Sequence, residues 1–182
     1  MNATPLAISD VVLLEPKVYG DSRGHFYESY NARTFAAAVG HDVTFVQDNH
    51  SLSQRGVVRG LHYQMAPAPQ GKLVRVLAGE IFDVAVDIRK SSPTYGKWVG
   101  QTLSADNKKQ LWIPVGFAHG FMALSDDTEV LYKATDFYHR AAEQAIRWDD
   151  ATLAVRWPSG AKPILSDRDA AAPSFVDAVT FD

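Results

Sequence analysis

Three stretches of the sequence concentrate side chains suited to proton-transfer chemistry. They are residues 59–64 (RGLHYQ) with 70–72 (QGK) shortly after, residues 114–121 (PVGFAHGF), and residues 132–138 (YKATDFY) with Glu143 beyond. A neutral imidazole accepts a proton near pH 7, and a phenol, with an ordinary pKa of about 10, keeps its proton there and can donate it. The histidines and tyrosines are therefore candidate bases and acids, and the arginines and lysines are candidate partners for negative charge.

Short strands are the predicted elements on which most of these groups lie. Runs of alternating apolar residues recur along the chain and are separated by turn residues, among them twelve glycines and nine prolines. This pattern predicts an all-β jelly-roll barrel or sandwich with a few short peripheral helices. No repeat or linker divides the chain, so we expect one domain covering residues 1–182.

Two local patterns give sharper expectations. Residues 32–40 (ARTFAAAVG) predict a helix that stops at Gly40. Residues 72–77 (KLVRVL) and 81–88 (IFDVAVDI), joined across residues 78–80, alternate apolar and polar side chains and predict a β-hairpin.

The parity of side chains along the strands predicts a ligand cavity. Alternate residues of a strand face the same side, and here polar or aromatic pairs share a parity: Phe26 with Glu28, Gln47 with Asn49, and Tyr132 with Tyr138. An ordinary structural sheet would more usually give that face to Val, Leu and Ile. We therefore expect these pairs to face a bound molecule.

Composition excludes several classes of function. The net charge of −3 gives no support for nucleic-acid binding, and the absence of cysteine excludes disulfides, thiolate zinc sites and a cysteine nucleophile. The N-terminal residues lack a basic signal region, and no apolar run approaches the roughly 20 residues needed to span a membrane. The sequence predicts a cytoplasmic protein without membrane contact.

An ordered set of motifs covers almost the whole chain. It comprises DSRGHFYE (21–28), QDNHS (47–51), RGLHYQ (59–64), DVAVDIR (83–89), SSPTYGKW (91–98), IPVGFAHGF (113–121), WDD (148–150) and LSDRD (165–169). In this set the chain resembles the RmlC-like dTDP-4-dehydrorhamnose 3,5-epimerases of the cupin superfamily. Each string alone is weak, whereas the set in this order is highly specific.

The resemblance implies a reaction at carbons next to a ketone. The substrate would be dTDP-4-dehydro-6-deoxy-glucose, inverted at C3 and C5 through enolates in dTDP-rhamnose biosynthesis, without metal, redox cofactor or covalent link. By the same resemblance, His62 is the base, paired with Asp169, and Tyr132 is the proton donor. Lys72 supplies positive charge where the enolate oxygen develops.

The resemblance also implies which residues bind the nucleotide sugar. Arg23, Arg59 and Arg168 would meet the diphosphate or nearby polar groups, although the position of Arg168 is commonly Lys in the family. Gln47, Asp48 and Asn49 would contact the nucleotide, and Tyr138 would stack on the thymine. The other matching pocket positions are Phe26, Glu28, His119 and Glu143. The family further implies a homodimer with exchanged N-terminal strands, so Arg23, Phe26 or Glu28 would serve the neighbour's pocket.

Each single residue also has an ordinary structural interpretation. His119 could be a packing residue, Lys72 a solvated lysine after a turn, Asp169 a helix cap, and Tyr132 a half-buried strand residue. Asp83 is equally consistent with a pocket group and with a satisfied structural carboxylate. The remaining histidines favour surface or structural roles: His25, His41, His50 and His139.

One conflict arises between parity and the resemblance. Simple alternation sends Arg59 and His62 to opposite faces of their strand, whereas the family pattern puts both at the ligand. A β-bulge at Gly60 would reconcile the two; otherwise Arg59 binds from another direction.

Three rival functions remain at this point. A metal-dependent cupin would need a His-x-His pair, and the corresponding stretch here is His62-Tyr63-Gln64. A single-site epimerase of C5 or C3 in a natural-product pathway would keep the same base and acid. A non-catalytic sugar-binding cupin would keep the pocket without needing His62, Lys72, Tyr132 and Asp169 together.

Overall fold

A computed structural model describes residues 1–160 and 162–182 of the chain. Antiparallel strands dominate that part, as the sequence predicts. They are β1 Asn2–Pro5, β2 Val12–Glu15, β3 Tyr19–Asp21, β4 Gly24–Phe26, β5 Gln47–Ser53, β6 Val58–Gln64, β7 Lys72–Ala78, β8 Glu80–Asp87, β9 Trp98–Ser104, β10 Gln110–Ile113, β11 Phe117–Ala123, β12 Thr128–Ala134 and β13 Glu143–Ala145. The helices are α1 Ala32–Val39, α2 Asp167–Ala170 and a 3-10 turn at Phe175–Asp177. None of these described helices is long and apolar enough to cross a membrane.

Two sheets form the body of the fold. One has six strands in the order β1-β2-β10-β7-β12-β5, and the other has five in the order β13-β6-β11-β8-β9. Strands distant in sequence lie side by side in both sheets, which is the arrangement of a jelly roll. The predicted all-β jelly roll with short peripheral helices is confirmed. A separate small ribbon, β3 with β4, projects from this body with all of its residues exposed.

The core lies where the two sheets face each other. Val74 and Val76 of β7 pack in one cluster with Phe117 and Phe121 of β11, each no more than 4% exposed. Burying an apolar side chain of this size contributes about 1.5–3 kcal/mol, so a cluster of this kind fixes the spacing of the sheets. Lys72 shares the inner face with Val74 and Val76 by the two-residue period of β7. The same strand therefore builds the core and presents a charged group next to it.

Helix α1 covers the outer face of the six-stranded sheet. Its first turn is capped by the Asn31 side chain, which accepts hydrogen bonds from two backbone N–H groups, and it ends at Gly40 with a φ of 84°. Phe35 is fully buried and meets Trp112 of β10 edge-on, with ring centroids 5.3 Å apart. The predicted helix and its glycine stop are confirmed.

The predicted hairpin of β7 and β8 is wrong, although both strands exist. β7 pairs with β10 and β12 in the larger sheet, and β8 pairs with β9 and β11 in the smaller one. Gly79, with a φ of 74°, turns the chain from one sheet to the other, and a Cβ there would lie 2.5 Å from Ser125 Oγ and Thr128 Oγ1. Alternating apolar and polar residues indicate a strand with one buried face. Two strands that pair in one sheet and two strands that face each other across a core show the same alternation, so the pattern does not distinguish them.

The irregularity anticipated in β6 is present. His62 lies opposite His119 and Arg59 lies opposite Phe121, so three steps along β6 match two steps along β11. The extra residue is a β-bulge, and it puts Arg59 and His62 on the same inner face. At Gly60 the φ is 125° and an added Cβ would lie 2.5 Å from Gly120 Cα, so only glycine fits.

Candidate active site

A cavity of about 520 Å³ opens between the two sheets next to the core. Its walls include side chains from β5, β7 and β12 of the larger sheet, and from β6 and β11 of the smaller one. Helix α2 and the segment before it close one side. The residues predicted from the sequence that line it are Asn49, Arg59, His62, Lys72, His119, Tyr132, Arg168 and Asp169. Six separate elements thus converge on one space.

His62 and Asp169 form a hydrogen-bonded pair at the cavity wall. His62 Nε2 donates to Asp169 Oδ1 at 2.5 Å, and the Asp169 side chain is only 6% exposed while that of His62 is 28% exposed. Burial raises the pKa of Asp169, but its hydrogen bond and charge interaction with His62 outweigh this and leave that pKa below its usual value. The carboxylate therefore stays ionised and holds the ring with Nε2–H turned toward it. This leaves His62 Nδ1 as the nitrogen with a free lone pair.

Helix α2 holds the carboxylate in place. Ser166 caps this helix: its Oγ accepts from the Asp169 backbone N–H at 3.1 Å and donates to Asp169 Oδ2 at 2.9 Å. Both oxygens of Asp169 therefore have partners. A serine before the first turn of a helix is a typical N-cap, and this is the feature by which Ser166 could have been found in advance. Asp169 therefore takes part in the helix cap and also pairs with His62, so both interpretations of this residue apply.

Lys72 is a buried cation on the opposite sheet. Its Nζ lies 5.6 Å from the centre of the Tyr132 ring, and within the described residues no carboxylate oxygen lies within 4.0 Å of it. Burial lowers the pKa of Lys72 to about 8, while the charges of Asp83 and Glu143 oppose that shift. Lys72 is thus protonated near neutral pH, with its N–H donors available to a ligand. The solvated interpretation of this residue is wrong.

Tyr132 lies across the cavity from the histidine pair. It belongs to β12 of the six-stranded sheet, opposite Asn49 of β5, whereas His62 belongs to the five-stranded sheet. Burial, with a contribution from the charge of Glu143, raises the pKa of Tyr132 above its usual value. The phenol therefore keeps its proton at neutral pH, as a proton donor must.

His119 has a carboxylate partner of its own. Its Nε2 donates to Asp83 Oδ1 at 2.6 Å, and the exposed fractions of the two side chains are 6% and 0%. Burial lowers the pKa of His119, with the positive charge of Lys72 acting in the same direction, although Asp83 opposes both. His119 is therefore a neutral ring in the cavity wall, which agrees with both a hydrogen-bonded packing residue and a ligand contact.

The polar groups near the cavity mouth are held by neighbouring side chains and backbone. Arg59 Nε donates to Ser53 Oγ and its Nη2 to the Leu52 carbonyl, both at 3.1 Å. Gln47 Nε2 donates to Asn49 Oδ1 at 3.0 Å. These contacts fix the side chains before any ligand arrives, and Ser53 is a supporting residue that the sequence patterns did not reveal.

Three side chains at the rim of the cavity are joined by hydrogen bonds. Tyr138 donates its hydroxyl proton to Glu143 Oε2 at 2.7 Å, and Arg168 Nη1 donates to the same oxygen at 2.5 Å. The Tyr138 ring is exposed and its backbone N–H donates to Gln47 Oε1. An aromatic ring held by its hydroxyl at the rim of a cavity offers a flat apolar face to a planar ring.

Seven predicted binding residues do not line this cavity. Gln47, Tyr138 and Glu143 lie at its rim, bonded to one another or to residues that line it. The remaining four are Arg23, Phe26, Glu28 and Asp48. Arg23 and Phe26 lie on the projecting ribbon, where Arg23 pairs with Asp21, and Glu28 is exposed and bonded to Asn31. The Asp48 side chain faces the outer side of the sheet and pairs with Lys133 at 3.0 Å.

The prediction for the Asp48 side chain is therefore corrected. Residues 47 and 49 of β5 face the cavity side, and the two-residue period of a strand sends residue 48 the other way. The prediction that Arg23, Phe26 and Glu28 serve a neighbouring subunit's pocket stays a prediction. In residues 1–160 and 162–182, no three His, Asp or Glu side chains cluster as a metal site.

Comparison with known families decides where the chain belongs. The model of the dTDP-4-dehydrorhamnose 3,5-epimerase family matches residues 5–177. An enzyme of that name from Pseudomonas aeruginosa is 59% identical, with 100% of this chain and 99% of that protein covered. The chain belongs to this family. Another dTDP-4-dehydrorhamnose 3,5-epimerase, from Shigella flexneri, is 58% identical with the same coverage of both chains.

Solved structures of the epimerase family share the fold in detail. The RmlC epimerase of Legionella pneumophila, in complex with dTDP-4-keto-L-rhamnose, superposes with a TM-score of 0.93 at 53% identity, covering 97% of this chain and 93% of that one. ChmJ from Streptomyces bikiniensis, a 3′-monoepimerase in complex with dTDP-quinovose, gives a TM-score of 0.89 at 34% identity, covering 94% and 87%. The fold is therefore common to enzymes that invert one centre and two, and the chain is more similar in sequence to the 3,5-epimerases.

Proposed function

We propose that the chain is a dTDP-4-dehydrorhamnose 3,5-epimerase. It converts dTDP-4-dehydro-6-deoxy-glucose to dTDP-4-dehydro-rhamnose by inverting C3 and C5. The main support is the geometry of the cavity. His62, which is paired with Asp169, and the phenol of Tyr132 line it from opposite sheets. The Lys72 ammonium lies near the Tyr132 ring. The family membership of the whole chain supports the same reaction.

Inversion requires a base and an acid on opposite faces of the sugar. His62 Nδ1 takes the proton of the C–H bond next to the C4 ketone, and the bonding pair moves toward the ketone oxygen to give an enolate. The Tyr132 O–H then delivers a proton to the other face of the same carbon. The step leaves an imidazolium and a phenolate, which proton exchange with water returns to their starting states. Placement of the two groups on facing sheets is what makes the outcome an inversion.

The enolate oxygen needs a positive charge that is present before the reaction starts. Lys72 is a buried cation without a carboxylate within 4.0 Å in the described part of the chain, so its N–H donors are available to that oxygen. Interactions of this kind act in a site from which water is largely excluded, and they are among the strongest contributions to catalysis. Asp169 stabilises the imidazolium that forms when His62 accepts the proton.

The nucleotide occupies the cavity mouth and rim. Arg59 and Arg168 meet the diphosphate, and Gln47 and Asn49 hydrogen-bond the nucleotide. Tyr138 stacks on the thymine, held in position by Glu143. His119 faces the sugar from the cavity wall. The reaction uses these protein groups and requires no metal or redox cofactor.

The functional unit in this proposal is a homodimer with exchanged N-terminal strands. The ribbon of β3 and β4 projects from the body of the fold, and Phe26 on it is 74% exposed. In the dimer, Arg23, Phe26 and Glu28 complete the nucleotide site of the partner subunit. We place the enzyme in the cytoplasm, where it supplies a rhamnose precursor for a cell-surface polysaccharide.

Product analysis tests the reaction. Purified protein is incubated with dTDP-4-dehydro-6-deoxy-glucose, the C4 ketone is reduced chemically, and the sugar configurations are resolved by NMR. We expect sugars inverted at both C3 and C5. Inversion at one carbon would replace the proposal by a single-site epimerase, and binding without any change would replace it by a sugar-binding protein.

A further inference from the structure

Asp83 is a fully buried carboxylate directly behind the cavity wall. It lies on the inner face of β8 and does not line the cavity itself. Its Oδ1 accepts the hydrogen bond from His119 Nε2, whereas its Oδ2 is buried without a hydrogen-bond partner among the described residues. A carboxylate in this condition is costly to folding, because charge is removed from water and one oxygen receives no donor in exchange.

The surroundings of Asp83 contain a second buried charge. Lys72 lies on the inner face of β7 in the opposite sheet and is buried, and burial alone would drive its ammonium toward the neutral form. The charges that oppose this are those of Asp83 and, after it, Glu143. The other titratable or charged groups that line the cavity are His50, Arg59, His62, His119, Tyr132, Arg168 and Asp169.

We propose that Asp83 is a positioning residue for the reaction: from behind the cavity wall it fixes the orientation of the His119 ring and keeps the Lys72 side chain a cation. The inference rests on the proposed function, because a charged Lys72 matters to turnover only when negative charge develops on the substrate oxygen. Asp83 touches neither substrate nor cavity and acts through the two residues that do.

Asp87 shows what a structural carboxylate looks like in the same setting. It lies four residues further along β8, on the same face, and is also fully buried. Both of its oxygens are saturated, with hydrogen bonds from Arg89, Ser92 and Thr94 at 2.6–2.9 Å. These donors lower the pKa of Asp87 to about 2 although burial acts against them. Asp87 is thus stabilised by its neighbours, whereas Asp83 is left partly unsatisfied next to the site.

The substitution Asp83→Asn separates the charge from the hydrogen bond. Asparagine has nearly the same shape, and its side-chain oxygen can still accept from His119 Nε2, so the ring orientation survives while the negative charge is lost. The Lys72 cation is the form that is lost as pH rises. Removing Asp83 lowers the pKa of Lys72 and moves this loss to lower pH. The matched control is Asp87→Asn, which removes the same charge from the same strand outside the cavity.

The experiment compares pH profiles of kcat/KM for the full chain and both variants, with dTDP-4-dehydro-6-deoxy-glucose as substrate. For Asp83→Asn we expect the alkaline limb to move down by about one pH unit. The loss of activity relative to wild type then grows about tenfold between pH 6 and pH 9. Affinity for dTDP alone changes less than about twofold, because the nucleotide contacts lie elsewhere. Asp87→Asn should keep the wild-type profile.

The unfolding temperatures of the two variants distinguish the proposed role of Asp83 from a purely structural one. Asp83→Asn should unfold at the wild-type temperature or above, while Asp87→Asn unfolds at a clearly lower one. An Asp83→Asn variant that is strongly destabilised yet keeps the wild-type pH profile overturns the proposal. A wild-type protein without turnover would instead reject the proposed function, so the two failures are distinguishable.

Nitrogen NMR of the wild-type protein keeps the proposal testable if Asp83→Asn does not fold. We expect the Lys72 ammonium to persist at pH 7, and His119 to be the neutral ring with its proton on Nε2. A Lys72 that is already neutral at pH 7, or a His119 proton on Nδ1, would overturn the inference.

Discussion

At the scale of single residues, two histidines line the cavity, and each is paired with a carboxylate in different surroundings. His62 is 28% exposed, and its partner Asp169 has donors at both oxygens. His119 is 6% exposed, and burial lowers its pKa. A base must gain positive charge during the reaction, which is easier for the more accessible ring. This difference favours His62 over His119 as the base of the proposed reaction.

His62→Ala should remove the base without removing the binding site. We expect kcat to fall by at least about 100-fold, the usual contribution of a positioned general base. Affinity for dTDP, measured by calorimetry, should stay close to that of the wild type, because the nucleotide contacts come from other residues. Near-normal turnover in this variant would show that another group abstracts the proton.

Tyr132→Phe should separate deprotonation from inversion. The base remains, so in heavy water we expect deuterium to enter recovered substrate through His62, which returns a deuteron to the face it took the proton from. Inverted product should fall by at least about 100-fold. Mass spectrometry of recovered substrate and NMR of the product measure the two effects. Unlabelled substrate with normal product formation would remove Tyr132 from the role of acid.

At the scale of elements, the bulge in β6 determines which side chains of that strand face the cavity. It puts Arg59 and His62 on one face, and it depends on Gly60, whose φ of 125° and approach to Gly120 leave no room for a Cβ. The two facing sheets then carry His62 on one side of the cavity and Tyr132 on the other.

Gly60→Ala should therefore damage both stability and activity. A Cβ 2.5 Å from the Gly120 backbone forces the strands apart, and we expect the free energy of unfolding to fall by about 3 kcal/mol. Turnover should fall with it, since His62 is displaced. Gly40→Ala is the control: its φ is also positive, but nothing lies within 4 Å of the added Cβ, so we expect a loss of about 1 kcal/mol with normal turnover. Equal effects in urea unfolding would contradict this account.

The strands were predictable because alternation marks a half-buried strand, and α1 was predictable because its periodicity ends at a glycine. The pairing partners of β7 and β8 were not predictable, because the alternation of residues does not indicate which sheet a strand joins. The His62–Asp169 pair joins residues 107 positions apart, and it was predicted from the family resemblance. The partly unsatisfied state of Asp83 and the support of Arg59 by Ser53 depend on packing between distant strands, which local patterns do not encode.

At the scale of the whole molecule, the projecting ribbon is the part that one chain does not bury. Tyr19 is 57% exposed and Phe26 is 74% exposed, on an element that makes no sheet with the body of the fold. Apolar side chains displayed in this way favour contact with another surface. The proposed exchange of N-terminal strands places this ribbon against the partner's cavity.

Mixed dimers test whether each site uses residues from both chains. Arg23→Ala and His62→Ala should each be poorly active alone. If the ribbon serves the partner, a dimer of one chain of each kind contains one site with both residues intact. We expect mixing and reassociation to restore up to about one quarter of wild-type activity, given random pairing and equal sites. Light scattering that finds a monomer, or mixing without recovery, would contradict the shared site.

Deuterium incorporation during turnover reports which carbons of the sugar exchange a proton. The wild-type protein is incubated with dTDP-4-dehydro-6-deoxy-glucose in heavy water, and NMR reads the label at each carbon of the product. Deprotonation by His62 and reprotonation by Tyr132 next to the ketone predict deuterium at both C3 and C5, each with inverted configuration. Inverted product without deuterium at these carbons, or no label at all, would contradict the account.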